Sequence, residues 1–191
     1  MSHVRKLDMR FEIADLISGI DHILGMTDWH PSHNQIGLTQ SLGPTVEDSW
    51  YDATGSLAYA WGDDPFDADG ELKKNSIIRN ERDFCHMVPG IKGTIFERVI
   101  NDISDRYALG RVRLMRLRPK ACMSWHTDSE QRLHIPIVTH DGAFLVIDGE
   151  AVHLPADGCC YMANTTLPHT AFNAGLKPRI HLVACITDAT V

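Results

Sequence analysis

The 191-residue chain contains no apolar run approaching the ~20 residues that a membrane-spanning helix needs. It contains no basic run either, and its net charge of −7 argues against nucleic acid or an anionic membrane as a partner. The N-terminal MSHVRKLDMRFE lacks the apolar core of a signal peptide, so a cytoplasmic location is expected. Cysteine is scarce and odd in number: Cys85, Cys122, Cys159, Cys160 and Cys185 form no disulfide framework and are expected to be small buried hydrophobes in a reducing compartment. No GxGxxG or P-loop sequence occurs, which leaves nucleotide binding without support. The acidic stretch from Asp63 to Gly70 has the look of a calcium loop, yet Ile78 stands where a loop begun at Asp67 would need its glutamate. A solvated acidic turn is expected there.

What is present points to a metal. His126-Thr127-Asp128 is followed by His169, and two imidazoles with one carboxylate are what a non-haem Fe(II) oxygenase uses to hold one face of its iron while the other stays open. Side chains two apart on a strand project to the same side, so His126 and Asp128 can reach one ion while Thr127 points away. His169 follows Asp128 by 41 residues and must be returned to the site by topology. A closed or sandwiched antiparallel β-fold does this.

The surrounding sequence reads as short strands at Arg111 to Arg118, Ser124 to Asp128, Arg132 to Val138, Ala143 to Ile147, Cys159 to Asn164, His169 to Asn173 and Arg179 to Ile186. Turn signals such as His140-Asp141-Gly142, Asp148-Gly149 and Ala174-Gly175 separate them. In the last strand Arg179, His181, Val183 and Cys185 share one face, and Ile180, Leu182, Ala184 and Ile186 the other. Arg132, His134 and Pro136 likewise alternate with Leu133, Ile135 and Ile137, so the pairs Arg132/His134 and Arg179/His181 can line one cavity. A buried guanidinium is costly without an anion, and its planar fork suits a carboxylate. A bound acid near the metal is therefore expected, and a dicarboxylate cosubstrate fits.

The stretch from Arg111 to Ile186, about two-fifths of the chain, resembles the aspartyl/asparaginyl β-hydroxylase family of Fe(II)/2-oxoglutarate dioxygenases. It looks most like the small bacterial free-amino-acid hydroxylases of the proline cis-4-hydroxylase kind. The resemblance is carried by SWHTD (Ser124 to Asp128), RLHIPI (Arg132 to Ile137), HTAFNAG (His169 to Gly175) and RIHLV (Arg179 to Val183), whose order and spacing are far more specific than the triad alone. It implies a double-stranded β-helix, of the jelly-roll or cupin-like kind, flanked by N-terminal helices. It also implies that His126, Asp128 and His169 bind Fe(II), that Arg179 pairs with the distal carboxylate of 2-oxoglutarate, and that His134 contacts the carboxylate nearer the metal. Arg132 is then a second cosubstrate contact or an anchor for a substrate carboxylate.

The activity implied is hydroxylation of an unactivated C–H by O2, coupled to conversion of 2-oxoglutarate into succinate and CO2. Animal peptidyl-aspartyl hydroxylases lack the carboxylate ligand, so Asp128 favours the amino-acid-hydroxylase branch and disfavours radical halogenation. Three alternatives stay open: hydroxylation of an Asp, Asn or other residue in a peptide or carrier-bound substrate, a cupin-like metal protein that binds a ligand without oxidising it, and a Zn(II) or other divalent-metal hydrolase or isomerase.

Composition, with 43% hydrophobic residues, suits one soluble domain over 1–191 with its main β-core at 109–191. Residues 1–108 are expected to flank or cover the site. Ile13, Leu16, Ile17, Ile20 and Leu24 mark a helix that stops at Gly25, and Thr94 with Glu97 forms a capping-box pattern ahead of Ile95, Val99, Ile100 and Ile103. Short strands are expected at Gln35 to Gln40 and Ser56 to Ala60, and part of the segment from Thr27 to Ile91 should cover the mouth. Arg111, Arg113, Arg116 and Arg118 enter the first core strand, and any that faces inward can bind a substrate carboxylate. Arg116 and Arg118 are favoured because they share parity with Val112 and Leu114. His30, His33 and His153 are expected to be solvent or loop residues. The substrate's identity and the oligomeric state are not encoded legibly.

Overall fold

A computed structural model describes residues 3–41, 49–59, 66–74 and 76–188. Ala60, Asp63, Asp64 and Pro65, which figure in the expected strand and acidic turn, lie outside the described residues, as does Trp61 between them. The core strands are β7 (Leu109–Leu117), β8 (Ala121–Cys122), β9 (Gln131–Val138), β10 (Ala143–Ile147), β11 (Glu150–Val152), β12 (Cys159–Ala163), β13 (His169–Asn173) and β14 (Arg179–Ile186). Ahead of them come β1 (Val4–Arg10), α1 (Ile13–Leu24), β2 (Gln35–Gly37), β3 (Thr39–Gln40), β4 (Ala58–Tyr59), β5 (Ile77–Ile78), β6 (His86–Met87) and α2 (Ile95–Ser104).

One six-stranded sheet runs β1-β12-β9-β14-β7-β2, and a four-stranded sheet runs β11-β10-β13-β8. Successive core strands alternate between the two sheets except at the β10–β11 hairpin, and the pairings within each sheet are antiparallel. This is the expected double-stranded β-helix. Two strands of the larger sheet come from the first half of the chain. β1 pairs with β12 and β2 with β7, so this half extends the core as well as covering it. The N-terminal stretch was not expected to be a strand; Leu7 and Met9 alternate inward with exposed neighbours, a pattern that MSHVRKLDMRFE does contain.

The larger sheet is buried on both faces, which explains its parity. Leu133, Ile135 and Ile137 of β9, Leu182, Ala184 and Ile186 of β14, and Val112 and Leu114 of β7 form one apolar cluster with Leu16, Ile20 and Ile23 of α1 and Phe96, Val99, Ile100 and Ile103 of α2. The opposite parity faces the space between the sheets. Helix α1 runs as expected to Gly25, whose N–H closes on the carbonyls of Asp21 and His22, although Ile17 stays 41% exposed. At α2 the Thr94 hydroxyl accepts from Phe96 N–H, but Glu97 accepts from the Gly93 N–H rather than that of Thr94, so only half of the expected reciprocal box forms. All five cysteines are free; Cys160 and Cys185 are buried as expected, whereas Cys85 and Cys122 are exposed. In the described part of the acidic stretch, the Asp67 side chain accepts from the N–H groups of Asp69 and Glu71, which makes a self-contained turn. Among the described residues, no helix is long and apolar enough to cross a membrane.

The end of β1 is held by a close backbone approach. Gly158 has φ +81° and accepts from Phe11 N–H at 2.9 Å, and a Cβ there would lie 2.2 Å from the Phe11 carbonyl oxygen. Gly158→Ala should therefore lower the urea-unfolding free energy by about 2 kcal/mol or more. An unchanged midpoint would contradict this seating of β1.

Candidate functional site

A cavity of about 600 Å³ lies between the two sheets. Strands β7, β9 and β14 contribute Arg113, Arg132, His134 and Arg179 to its wall, and β13 contributes His169 from the smaller sheet. His126 and Asp128 lie at its mouth. The expected strand from Ser124 to Asp128 is reduced to a single bridge, in which His126 and His169 exchange backbone hydrogen bonds of 3.1 and 2.9 Å. Met123 N–H meets the Ala171 carbonyl, so the advance of three residues from Met123 to His126 opposes an advance of two from Ala171 to His169. The extra residue bulges the segment and turns both ligand-type side chains toward His169.

His126, Asp128 and His169 each offer one ligand atom, and the three atoms lie within 4.8 Å of one another. The His126 Nδ1 lies 2.8 Å from the Ser124 carbonyl, and the His169 Nδ1 lies 3.0 Å from that of Leu167. Each ring therefore donates through Nδ1–H and keeps Nε2 as a bare donor atom, the tautomer that a divalent metal requires. Burial and the neighbouring His126 hold the His169 pKa below its ordinary value, which also favours the neutral ring. Arg132 Nε contacts Asp128 Oδ2 at 2.9 Å, and the same oxygen lies 3.7 Å from His169 Nε2. Among the described residues this is the cluster whose chemistry fits a metal, and the acidic turn is not part of it.

The cavity is rich in buried cation. Arg179 is buried, donates through Nε to the His181 Nε2 at 3.0 Å with its Nη2 2.7 Å from the other ring nitrogen, and meets no carboxylate among the described residues. Burial lowers its pKa to about 10, so it is still charged at neutral pH. His134 and His181 lie far below the ordinary histidine value, chiefly through burial and then through the Arg179 charge, and are neutral. The Nε2 of His134 is buried without a partner. Arg132 is committed to Asp128 and to Glu81, at 2.9 and 2.8 Å, and only its Nη1 is unpartnered.

The substrate-side arginines differ from expectation. Arg116 donates to Asn34 Oδ1 and stacks over Trp29, and Arg118 donates to the same oxygen; neither lines the cavity. Arg111 and Arg113 line it instead. The parity that Arg116 and Arg118 share with Val112 and Leu114 is the helix-facing one, because on a sheet buried on both faces the apolar side marks the helix layer and not the site. Arg113 is 6% exposed, donates to Gln35 Oε1 at 3.2 Å and leaves its Nε unpartnered. Burial, followed by the Arg111 and Arg132 charges, lowers its pKa to about 9. In sheet register Arg113 lies opposite Val183, four residues along β14 from Arg179. That sets the backbone positions of the two residues about 13 Å apart along the strands at ~3.3 Å per residue.

Sequence reasoning missed Glu81 and Gln35, and His33, an exposed turn residue as expected, also lines the cavity. His33 reaches the cavity rim, stacked on His30 with ring centroids 4.4 Å apart, while His153 is a half-buried prop bonded to the Ala143 carbonyl. Glu81 is 3% exposed and pairs with Arg111 and Arg132. Its setting, Arg79-Asn80-Glu81-Arg82-Asp83, reads as a solvated charge run, and no local signal marks it as buried. The segment from Thr27 to Ile91 contributes His33, Gln35, Gly55, Ser56, Leu57 and Glu81 to the cavity lining.

A double-stranded β-helix with an open His-Asp-His cluster and buried anion-seeking arginines is the architecture of a non-haem iron oxygenase. Residues 44–188 match the family model described as aspartyl/asparaginyl beta-hydroxylase. The chain belongs to that family and is an Fe(II)- and 2-oxoglutarate-dependent hydroxylase that consumes O2. No curated protein matches it. Among solved structures it is similar to a truncated viral collagen prolyl hydroxylase from Paramecium Bursaria Chlorella virus-1, at 9% identity over 97% of this chain and 91% of that one, with a TM-score of 0.49. It is also similar to AviO1 from Streptomyces viridochromogenes Tue57, at 14% identity over 98% and 91%, TM-score 0.47. A third is an oxidoreductase of the 2OG-Fe(II) oxygenase family from Burkholderia pseudomallei, at 16% identity over 56% and 60%, TM-score 0.44.

Glu81 supplies a pH test of this charge arrangement. Burial alone would raise its pKa, but the Arg111 hydrogen bonds and the Arg132, Arg111 and Arg113 charges outweigh it and bring the carboxyl down from 4.5 to about 2. A depressed carboxyl adds stability that is fully present above its unfolded pKa and is lost as pH falls through the folded one. The stability gap between wild type and Glu81→Gln should thus narrow from about pH 4.5 down to about 2 in urea titrations. A gap constant over that window would contradict the buried ion pairs.

Proposed function

We propose that this single-domain enzyme hydroxylates a free amino acid or similar small carboxylate. The observation that carries the proposal is the pair of buried, carboxylate-free guanidiniums, Arg179 and Arg113, set apart along the wall of one cavity that also holds the triad. In this reading His126, Asp128 and His169 hold Fe(II). Arg179 takes the distal carboxylate of 2-oxoglutarate, its charge retained in a buried site where only an anion offsets the cost of desolvation. Neutral His134 turns its unpartnered Nε2 to the cosubstrate's other end. Arg113, steadied by Gln35, is left for the one carboxylate that a small acid brings. Arg132, occupied by Asp128 and Glu81, is a support for the metal ligand more than a cosubstrate contact.

Bound Fe(II) supplies the redox chemistry by which substrate C–H, O2 and 2-oxoglutarate become C–OH, succinate and CO2. The residues around it aim one C–H bond and fix the charges of both acids in a space between two sheets. A cavity of about 600 Å³, open at its mouth, suits a cosubstrate together with a small molecule. The free cysteines support a reducing, cytoplasmic setting.

The test is succinate formation by the Fe(II)-loaded protein across the free proteinogenic amino acids, with mass spectrometry for a gain of one oxygen. One amino acid is expected to give coupled succinate and product. Arg179→Met should raise the 2-oxoglutarate KM about tenfold or more, and Arg113→Met should do the same for the substrate KM only. Asp128→Ala should abolish coupled turnover. Succinate at a uniform uncoupled background would shift the assignment to a peptide or carrier-bound acid, and full activity in the Asp128 and Arg179 variants would sink the site.

A further inference from the structure

We propose that Glu81 is a positioning residue for the metal site, which holds one end of the Arg132 guanidinium and so keeps Arg132 from closing as a fork on both oxygens of Asp128. The proposal rests on Asp128 being a metal ligand. Glu81 sits at the start of a short 3-10 turn, Glu81–Asp83, and is fixed there by its backbone. Asn80 caps the turn, and the Gly110 Cα packs so closely that a Cβ would lie 2.6 Å from the Glu81 carbonyl oxygen.

The two carboxylate oxygens serve a fork on each side. Arg111 binds both, Nε to Oε2 at 2.8 Å and Nη2 to Oε1 at 2.9 Å, and its Nη1 donates to the Gly55 carbonyl at 2.9 Å. Arg132 gives Nη2 to Oε1 at 2.8 Å and Nε to Asp128 Oδ2 at 2.9 Å. The result is a buried chain, Gly55–Arg111–Glu81–Arg132–Asp128, that links the mouth loop to the metal carboxylate. Because Glu81 holds Nη2, Arg132 meets Asp128 through Nε alone, at Oδ2, the oxygen that also lies 3.7 Å from His169 Nε2.

Without the Glu81 charge, the guanidinium loses its second anion and Asp128 becomes the nearest one. A planar fork then closes on both Asp128 oxygens, as arginine does with an isolated carboxylate. The metal must compete with that pairing. It also meets three guanidiniums, Arg111, Arg113 and Arg132, offset by one carboxylate where two stood before. Both effects weaken cation binding, and neither requires any change in His126 or His169.

The measurement is Co(II) affinity of the metal-free protein, read from the visible d–d absorption and from Mn(II) competition, with no turnover required. Glu81→Gln is expected to weaken Co(II) binding about tenfold or more, the range typical of groups that support a metal ligand. If the effect runs through Arg132, it should shrink to less than about twofold when Glu81→Gln is made in an Arg132→Met background, a non-additivity that a general loss of packing would not produce. Wild-type Co(II) affinity in folded Glu81→Gln, or full additivity with Arg132→Met, would overturn the proposal. If Glu81→Gln does not fold, Glu81→Asp is measured instead: its retracted carboxylate should give an intermediate loss, and wild-type affinity would again overturn it. Asp128→Ala distinguishes the two levels of failure, since Co(II) binding unaffected by that change removes the ligand assignment itself and the role of Glu81 with it.

Discussion

Burial of guanidinium charge between two β-sheets is the constraint on which the rest of this structure depends. Arg111, Arg113, Arg132 and Arg179 are each no more than 6% exposed, and a charge so placed is tolerated only beside an anion. The protein supplies two, Glu81 and Asp128, and both are absorbed by Arg111 and Arg132. Arg113 and Arg179 are left with neutral partners, Gln35 and His181, and with their pKa values drawn down by burial. In the proposed reading this uncompensated charge is what receives the two acids, and the desolvation cost borne in the free enzyme becomes binding selectivity when they arrive.

The larger sheet makes this possible because it has two buried faces with different partners. The helices α1 and α2 pack on the apolar parity and supply the hydrophobic stabilisation. The other parity is then free to carry arginine and histidine into the space between the sheets without destroying the core. The smaller sheet closes that space and returns His169 to the mouth. Strands β1 and β2, drawn from the first half, widen the sheet at both edges, and β2 brings Gln35 beside Arg113. Positioning of the site and stability of the fold are thus assigned to opposite faces of the same strands.

The metal cluster is arranged with equal economy of motion. Backbone carbonyls of Ser124 and Leu167, each two residues before its histidine, set both imidazole tautomers locally. The bulge near His126 and the bridge to His169 bring the rings to 4.2 Å between centroids. Asp128 is the member of the cluster held from a distance, through Arg132 and a segment 47 residues earlier in the chain, at Glu81. This division follows from chemistry: a neutral ring needs one hydrogen bond to fix it, while a carboxylate is fixed by a charged partner.

The sequence by itself determined whatever is periodic or local. Alternation of apolar and polar residues placed β7, β9, β10, β12, β13 and β14, the 3.6-residue stripe placed α1 and α2, and His-x-Asp with a later His and Arg marked the triad and Arg179. Parity even divided Arg132, His134, Arg179 and His181 from their apolar neighbours correctly. What parity could not say was which buried face of β7 holds the cavity, since both are inaccessible to water and only the packing of α1 and α2 distinguishes them; hence the preference for Arg116 and Arg118, although Arg111 and Arg113 are the ones that line it. The bulge that breaks Ser124 to Asp128, the pairing of β1 and the burial of Glu81 also depend on partners far away in sequence. A lone glutamate in a charged run becomes the hub of the site only when the fold carries two arginines to it, and that long-range electrostatic complementarity was decided by the tertiary structure alone.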